Sequence, residues 1–240
     1  VVQFATVANR ETADGGSTIL SGNQKVLSAR LSDAKFFWDN DLRTIKTDGL
    51  GFWLEKLKTV TFHNKLGSQF ERVERIINLS EIIAKKIGCD PKLAKDAAYI
   101  SKADLSSEMV YEFPELQGIM GTYYAKKAGY AASVSETCKD HYAPLGPSDE
   151  VPGSPISTVV ALADKIDTLT NFWAIEEKPT GSKDPFALRR SALGMIRIII
   201  ENDIRISLSE ILALGNKKAD IELSLIHISE PTRPERIAYG

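Results

Sequence analysis

The chain of 240 residues has three histidines, His63, His141 and His227, and none lies in an HExxH or HxH pattern. Neither cysteine, Cys89 or Cys138, stands at zinc-ligand spacing from a histidine. His63 and His141 therefore read as structural or surface side chains. Asp104, Asp164 and Asp167 are the carboxylates that could join a histidine around a metal, but a set this poor in histidine predicts no metal site. There is no GxSxG nucleophile turn and no GxxxxGK[ST] phosphate loop. Thr180-Gly181-Ser182-Lys183 has the end of such a loop without the strand and second glycine that it needs.

Residues 179–190, PTGSKDPFALRR, offer different chemistry. A glycine turn feeds a helix start, predicted at Asp184-Pro185, whose free N–H groups favour an anion. Lys183 stands just ahead of it, and Arg189 and Arg190 lie one turn in. From position 178 to 205 six basic residues (178, 183, 189, 190, 197, 205) face three acidic ones (184, 201, 203). Two readings stay open: a contact for a phosphate backbone, or a solvated face in which Asp184 and nearby acids pair the arginines. Asp164 and Asp167 project from a helix whose apolar stripe is Val160, Leu162, Ile166 and Leu169.

The stretch at residues 93–127 has to hold these groups in place. Ala94, Ala97, Ala98 and Ile100 give it a small apolar face against which another helix packs closely. Pro114 is predicted to open a second helix with Leu116, Ile119, Met120 and Tyr123 as its buried stripe. Lys102, Asp104, Glu108, Glu112 and Glu115 crowd the junction, which is either a solvated elbow or a ligand-facing one.

Elsewhere the spacing is largely helical. Residues 3–8 read as the end of a strand and 9–21 as a loop. A long helix is predicted from Gly22 to about Arg43, and a shorter one carries Trp53, Leu54, Leu57 and Val60. The next runs through Leu66, Phe70, Val73, Ile77, Ala84 and Ile87, and is stopped by Gly88. Asp90 and Pro91 cap its successor. Further helices are predicted at 133–142 and 157–172, either side of a proline-rich loop at 143–155. The expected fold class is mainly α, with strands confined to the first dozen or so residues. The expected division is 1–45, the end of an N-terminal region; 46–215, an all-α domain; and 216–240, a disordered or non-native tail. Within that tail LSLIHISEPTR (223–233) resembles a translated sequencing adaptor, so His227 is not counted toward any site.

Composition narrows the class. A hydrophobic share of 43% and a charged share of 26% suit a soluble globular chain, and a net charge of −2 exerts no global pull on nucleic acid. Two cysteines give no disulfide framework and fit a reducing compartment. No run of about 18 apolar residues and no basic-then-apolar leader is present, which points away from membrane and export.

The words SKADLSSEMVYEFPELQGIMGTYYA, ALADKIDTL and PTGSKDPFALRRSALG closely resemble the β subunit of bacterial glycyl-tRNA synthetase. FATVAN, SGNQKVLSARLSDAKFFW and KLKTVTFHNKLGSQFERVERI match it in the same order, so the resemblance covers residues 2–214. It implies an internal piece of a longer subunit, with an HD-like helical domain. It also implies a cytoplasmic α2β2 enzyme in which ATP, with magnesium, and glycine are used on the α subunit. The β subunit binds tRNA(Gly), so this piece alone is expected to be inactive and to hold no cofactor. Lys183, Arg189 and Arg190 are the residues expected to meet the tRNA. HD phosphohydrolases hold a metal with a histidine, a His-Asp dyad and a later aspartate. Gln69 and Ser101-Lys102 fall near the first two places, and His63, Asp104 and Asp164 are the remnants. The alternatives are a metal-dependent HD phosphohydrolase and a purely structural helical docking module.

Overall fold

The computed structural model describes residues 3–215. Ten α-helices follow one another with a single hairpin between the second and third. They are α1 (Ser17–Asp48), α2 (Leu50–Lys56), β1 (Thr61–His63), β2 (Gly67–Ser68), α3 (Gln69–Ile87), α4 (Pro91–Ile100) and α5 (Glu108–Glu112). Then come α6 (Ile119–Lys127), α7 (Ala132–Asp140), α8 (Pro155–Ala174), α9 (Leu188–Glu201) and α10 (Leu208–Gly215). The chain is mainly α, as expected. Its two described strands pair antiparallel at 61–68, well beyond the first dozen residues. Residues 3–8, read as a strand, have no regular structure. Alternation there is not enough where no neighbouring strand supplies hydrogen bonds. The tail at 216–240, with its adaptor-like words, lies outside the described residues.

Helix α8 is the axis. Every residue from Ile156 to Thr170 is buried, which places this helix inside the bundle rather than on its surface. Helices α3, α4, α7, α9 and α10 pack around it. The small face of α4 works as its sequence suggests: Ala94, Ala97 and Ala98 are fully buried and let α4 lie close against α3.

The ends of the helices follow local chemistry. Asp90 accepts from the N–H groups of Lys92 (2.8 Å) and Leu93 (3.2 Å), with Pro91 in the first turn. Ser68 and Glu71 form a reciprocal capping box at the start of α3, and Gly88 ends that helix with φ 74°. Three boundaries differ from the prediction. Helix α1 begins at Ser17 and runs to Asp48, because Asp14 accepts from Thr18 N (2.8 Å) and Gly22 is carried inside the helix. Pro114 opens only a 3-10 turn, and α6 starts after Gly118. That shift turns Ile119 and Tyr123 outward and buries Tyr124, while Met120 is buried as expected. Helix α9 starts at Leu188 rather than at Pro185.

Candidate functional site

The charged residues of α8 face inward. Asp164 Oδ1 lies 3.0 Å from Lys102 Nζ and 3.0 Å from Arg72 Nη2, and Asp167 accepts from Arg75 Nε at 2.6 Å. Arg72 also donates to Thr168 Oγ1 (2.9 Å) and lies over the Phe62 ring. Lys102 is 2% exposed and donates to His141 Nε2 at 3.0 Å. That leaves His141 Nδ1 to donate to the Thr137 carbonyl (2.9 Å), which defines the tautomer. Burial, helped by Lys102, draws His141 down to about 3, so the imidazole is neutral. Burial alone would raise Asp164, but Arg72, Lys102, His141 and Lys165 overcome it and hold the carboxyl well below its usual range. Burial lowers Lys102, and Asp164 opposes that shift.

The elbow between α4 and α6 is divided: Glu108 and Glu115 are exposed and Glu112 half-buried, while Lys102 and Asp104 are buried. Asp104, 1% exposed, accepts from Gly118 N (2.6 Å) and Gly121 N (3.0 Å) through one oxygen. Its other oxygen has no protein partner. Burial raises Asp104 to about 6 against the opposing effect of those N–H groups and Lys102. The folded state therefore binds this proton more tightly than the unfolded chain, and the carboxyl costs stability as pH rises from about 4 through 6. Asp104→Asn has no such titration. Relative to the native chain, its urea midpoint should improve between pH 4 and pH 7; an unchanged difference would deny the titration. Asp41 of α1 makes a second buried anchor. It accepts from Glu108 N (2.9 Å), Met109 N (3.1 Å) and Tyr124 Oη (2.6 Å), so it caps α5 from outside.

The donors considered for a metal are thus dispersed. His63 packs edge-on against the stacked Phe172 and Phe186 rings and accepts from Lys65 N through Nδ1. Asp104 is held by backbone N–H groups and Asp164 by Lys102 and Arg72. Among the described residues no three His, Cys, Asp or Glu side chains converge. Ser101 donates to the Ala98 carbonyl (2.9 Å), and the α3 side chain that reaches Asp164 is Arg72, one turn after Gln69.

The basic turn sits at the rim of a cleft. Thr180 and Lys183 exchange backbone hydrogen bonds around Gly181. Asp184 accepts from Leu188 N (2.8 Å) and Arg189 N (3.0 Å). This corrects one premise: the first-turn N–H groups of Leu188 and Arg189 are already taken by this carboxylate. It also removes Asp184 as a partner for the arginines. Lys178 pairs with Glu176 and Arg197 with Glu201. Lys183, Arg189 and Arg190 are exposed, and no ion pair among the described residues includes them. The two guanidinium groups therefore present free charge. Arg190 belongs to the wall of a cleft of about 260 Å³ whose floor carries Arg72, Asp164 and Lys165. The sequence reading missed Arg72 and Lys165, and it named His141 as structural or surface without its partner Lys102. Only the Arg-x-x-Arg spacing of Arg72 and Arg75, which puts two guanidinium groups on one face of α3, was available as a signal.

Residues 1–230 match the family described as glycyl-tRNA synthetase beta subunit, a match that overlaps the first part of the adaptor-like stretch. A protein of Ruegeria sp. (strain TM1040), named glycine--tRNA ligase beta subunit, is 63% identical over 221 residues, covering 92% of this chain and 32% of the relative. The proteins of that name from Dinoroseobacter shibae and Rhodospirillum centenum are 64% and 53% identical over 208 and 209 residues, covering 87% and 86% of this chain and 29% of each relative. The chain therefore spans about a third of the length of these relatives.

Proposed function

Because the chain belongs to the family of glycyl-tRNA synthetase β subunits, we propose that it supports the attachment of glycine to tRNA(Gly) by holding the RNA. An α subunit, within an α2β2 assembly, activates glycine with ATP and magnesium. The chain's own part is contact with the tRNA backbone through Lys183, Arg189 and Arg190. The observation that carries this reading is the pair of exposed guanidinium groups on the first turn of α9, which enter no ion pair among the described residues. Exposed cations without partners attract phosphate, and the attraction is independent of base sequence. No helix among the described residues is long and apolar enough to cross a membrane.

The test uses the complete synthetase with α present. Arg189→Ala should weaken tRNA binding by a similar factor across tRNA sequences and lower the log–log salt slope by somewhat under one unit. Glycine activation, which needs no RNA, is the control for intact assembly. Unchanged affinity and salt slope in Lys183→Ala, Arg189→Ala and Arg190→Ala would reduce this face to a solvated one.

The phosphohydrolase alternative is weakened by Lys102. Its amine stands where His141 and Asp164 converge and donates to both, the position in which a divalent cation would need their lone pairs. Docking, as a second reading, is favoured by α1, which leaves Leu20, Val26, Leu31 and Phe36 more than half or about half exposed. A purely structural docking module would make no contact with tRNA, so the salt-slope test above separates the two readings.

A further inference from the structure

The cleft between α3, α8 and the start of α9 has two chemically distinct sides. One is basic: Arg72, Lys165 and Arg190 against the single acid Asp164, whose charge Lys102 and Arg72 already meet. The other is aromatic: Phe172 and Phe186 stack at 4.2 Å, and Phe62 meets Phe172 edge-on at 5.6 Å. We propose that this cleft binds one nucleotide, its phosphate on Lys165 and Arg190 and its base against the phenylalanine wall.

Four observations carry this beyond the backbone contact proposed above, and it does not depend on that contact. First, Lys165 is 6% exposed yet still lines the cleft, held there by the carbonyls of Tyr142 (3.3 Å) and Ala143 (2.9 Å). Two acceptors leave the third ammonium proton for a ligand. Second, room for that stem is built in. A Cβ at position 194 would lie 2.8 Å from Lys165 Cε, so Gly194 lets the lysine pass α9. Third, the Tyr142 hydroxyl on the lining is buried without a hydrogen-bond partner, whereas Arg72 Nε, which also lacks one, faces Asp167 Oδ2 at 3.7 Å. Buried polar groups are nearly always satisfied, so an orphaned hydroxyl at a cleft points to a partner that completes it. Fourth, Ala187 sits at the rim with φ 53°, a left-handed backbone that alanine adopts at a cost and that clusters at ligand clamps. It joins Phe186 of the aromatic side to Arg190 of the basic side.

Size sets the class. At about 260 Å³ the cleft falls just below the roughly 300–1,000 Å³ of drug-sized pockets, room for one nucleotide and not two. A phosphate satisfies cations and an orphaned hydroxyl together, and a base offers a flat face to an aromatic wall. The nucleotide can be free or a single unstacked residue of an RNA strand.

The experiment is calorimetric titration of the chain, with no α subunit present, using AMP, adenosine, inorganic phosphate and a single-stranded oligoadenylate of five residues. AMP should bind at one site at least tenfold more tightly than adenosine or phosphate, because both sides of the cleft contribute. Arg190→Glu and Lys165→Gln should each weaken AMP at least tenfold, and Phe186→Ala should weaken AMP but not phosphate. Arg190 is exposed, so its variant tests the idea even if the Lys165 variant does not fold. Arg189 does not line the cleft, so Arg189→Ala should leave AMP binding intact and report the backbone face by itself. An oligoadenylate that competes with AMP, or that alone binds and is weakened by Phe186→Ala, assigns the cleft to an RNA residue. AMP binding without such competition assigns it to a free nucleotide. The proposal is overturned if neither AMP nor oligoadenylate binds, if phosphate binds as well as AMP, or if Arg190→Glu and Phe186→Ala both leave binding unchanged.

Discussion

Replacing Asp164 by alanine should destabilise the folded chain by about 3–5 kcal/mol, the cost of stripping the acid from a buried ion pair. The side chain touches Lys102 and Arg72 at 3.0 Å each, and Lys102 is almost wholly buried. For a chain of this size the melting temperature should fall on the order of 10 °C. Two further measurements separate this cause from a simple cavity. The double variant Asp164→Ala, Lys102→Met should be more stable than Asp164→Ala alone, because no buried amine is left without its acid. The acid limb should change too. Asp164 stays ionised in the fold at pH values where the unfolded chain takes up a proton, so its contribution is present above about pH 4 and is lost as pH falls. The variant should therefore show a flatter loss of stability below pH 4. If Asp164→Ala melts within a degree or two of the native chain, the charged core is not holding α3, α4 and α8 together.

Gly118→Ala should cost about 2–5 kcal/mol, combining a disfavoured backbone with overpacking. Its φ of 77° with ψ −44° is a conformation that side chains rarely adopt, and a Cβ there would lie 2.7 Å from the Cys138 carbonyl oxygen. That oxygen belongs to the backbone of α7 and cannot swing aside. The displacement would also pull Gly118 N from Asp104, which would lose half of its hydrogen bonding. Urea unfolding is the measurement. Gly129→Ala, also at positive φ but with open space around it, isolates the backbone contribution. Equal losses in the two variants would mean that contact with α7 contributes nothing.

What could be read from the sequence was local. The Asp90-Pro91 start of α4, its alanine face, the stop at Gly88 and the stripe Val160, Leu162, Ile166 and Leu169 each depend on residues within a turn or two of one another, and all appear as expected. What failed was of two kinds. Asp164 and Asp167 were placed on a projecting face because spacing records periodicity, not partners. Their guanidinium partners, Arg72 and Arg75, come from α3, 92 residues away for the Arg72–Asp164 and Arg75–Asp167 pairs. The same long-range pairing hid His141, which needs Lys102 beside it to be more than a lone histidine. The other failures were proline starts. Asp90-Pro91 and Asp184-Pro185 look alike, yet only the first opens a helix. At the second, Ala187 turns left-handed and α9 begins three residues after the proline, while Asp184 still reaches its first N–H groups. The proposed contact residues Lys183, Arg189 and Arg190 were legible as charges. That they stand free of acids depended on where Asp184, Glu176 and Glu201 point.

Helix α1 is a lever with its fulcrum near one end. Its only buried residues are Asp41 and Ile45, so the carboxylate that caps α5 and receives the Tyr124 hydroxyl is also the pivot of a 32-residue rod. Arg30 fastens the rod again to Glu112 (2.6 Å) and over the Phe113 ring, so the arm beyond it back to Ser17 is about 20 Å long, and a tilt of about 5° there moves its tip by about 1.7 Å. The pivot is fastened to α5 and α6, whose own position depends on Asp104 and Gly118. The seating of α1 is thereby tied, through Asp41 and the α5–α6 elbow, to the same buried groups that hold the core together.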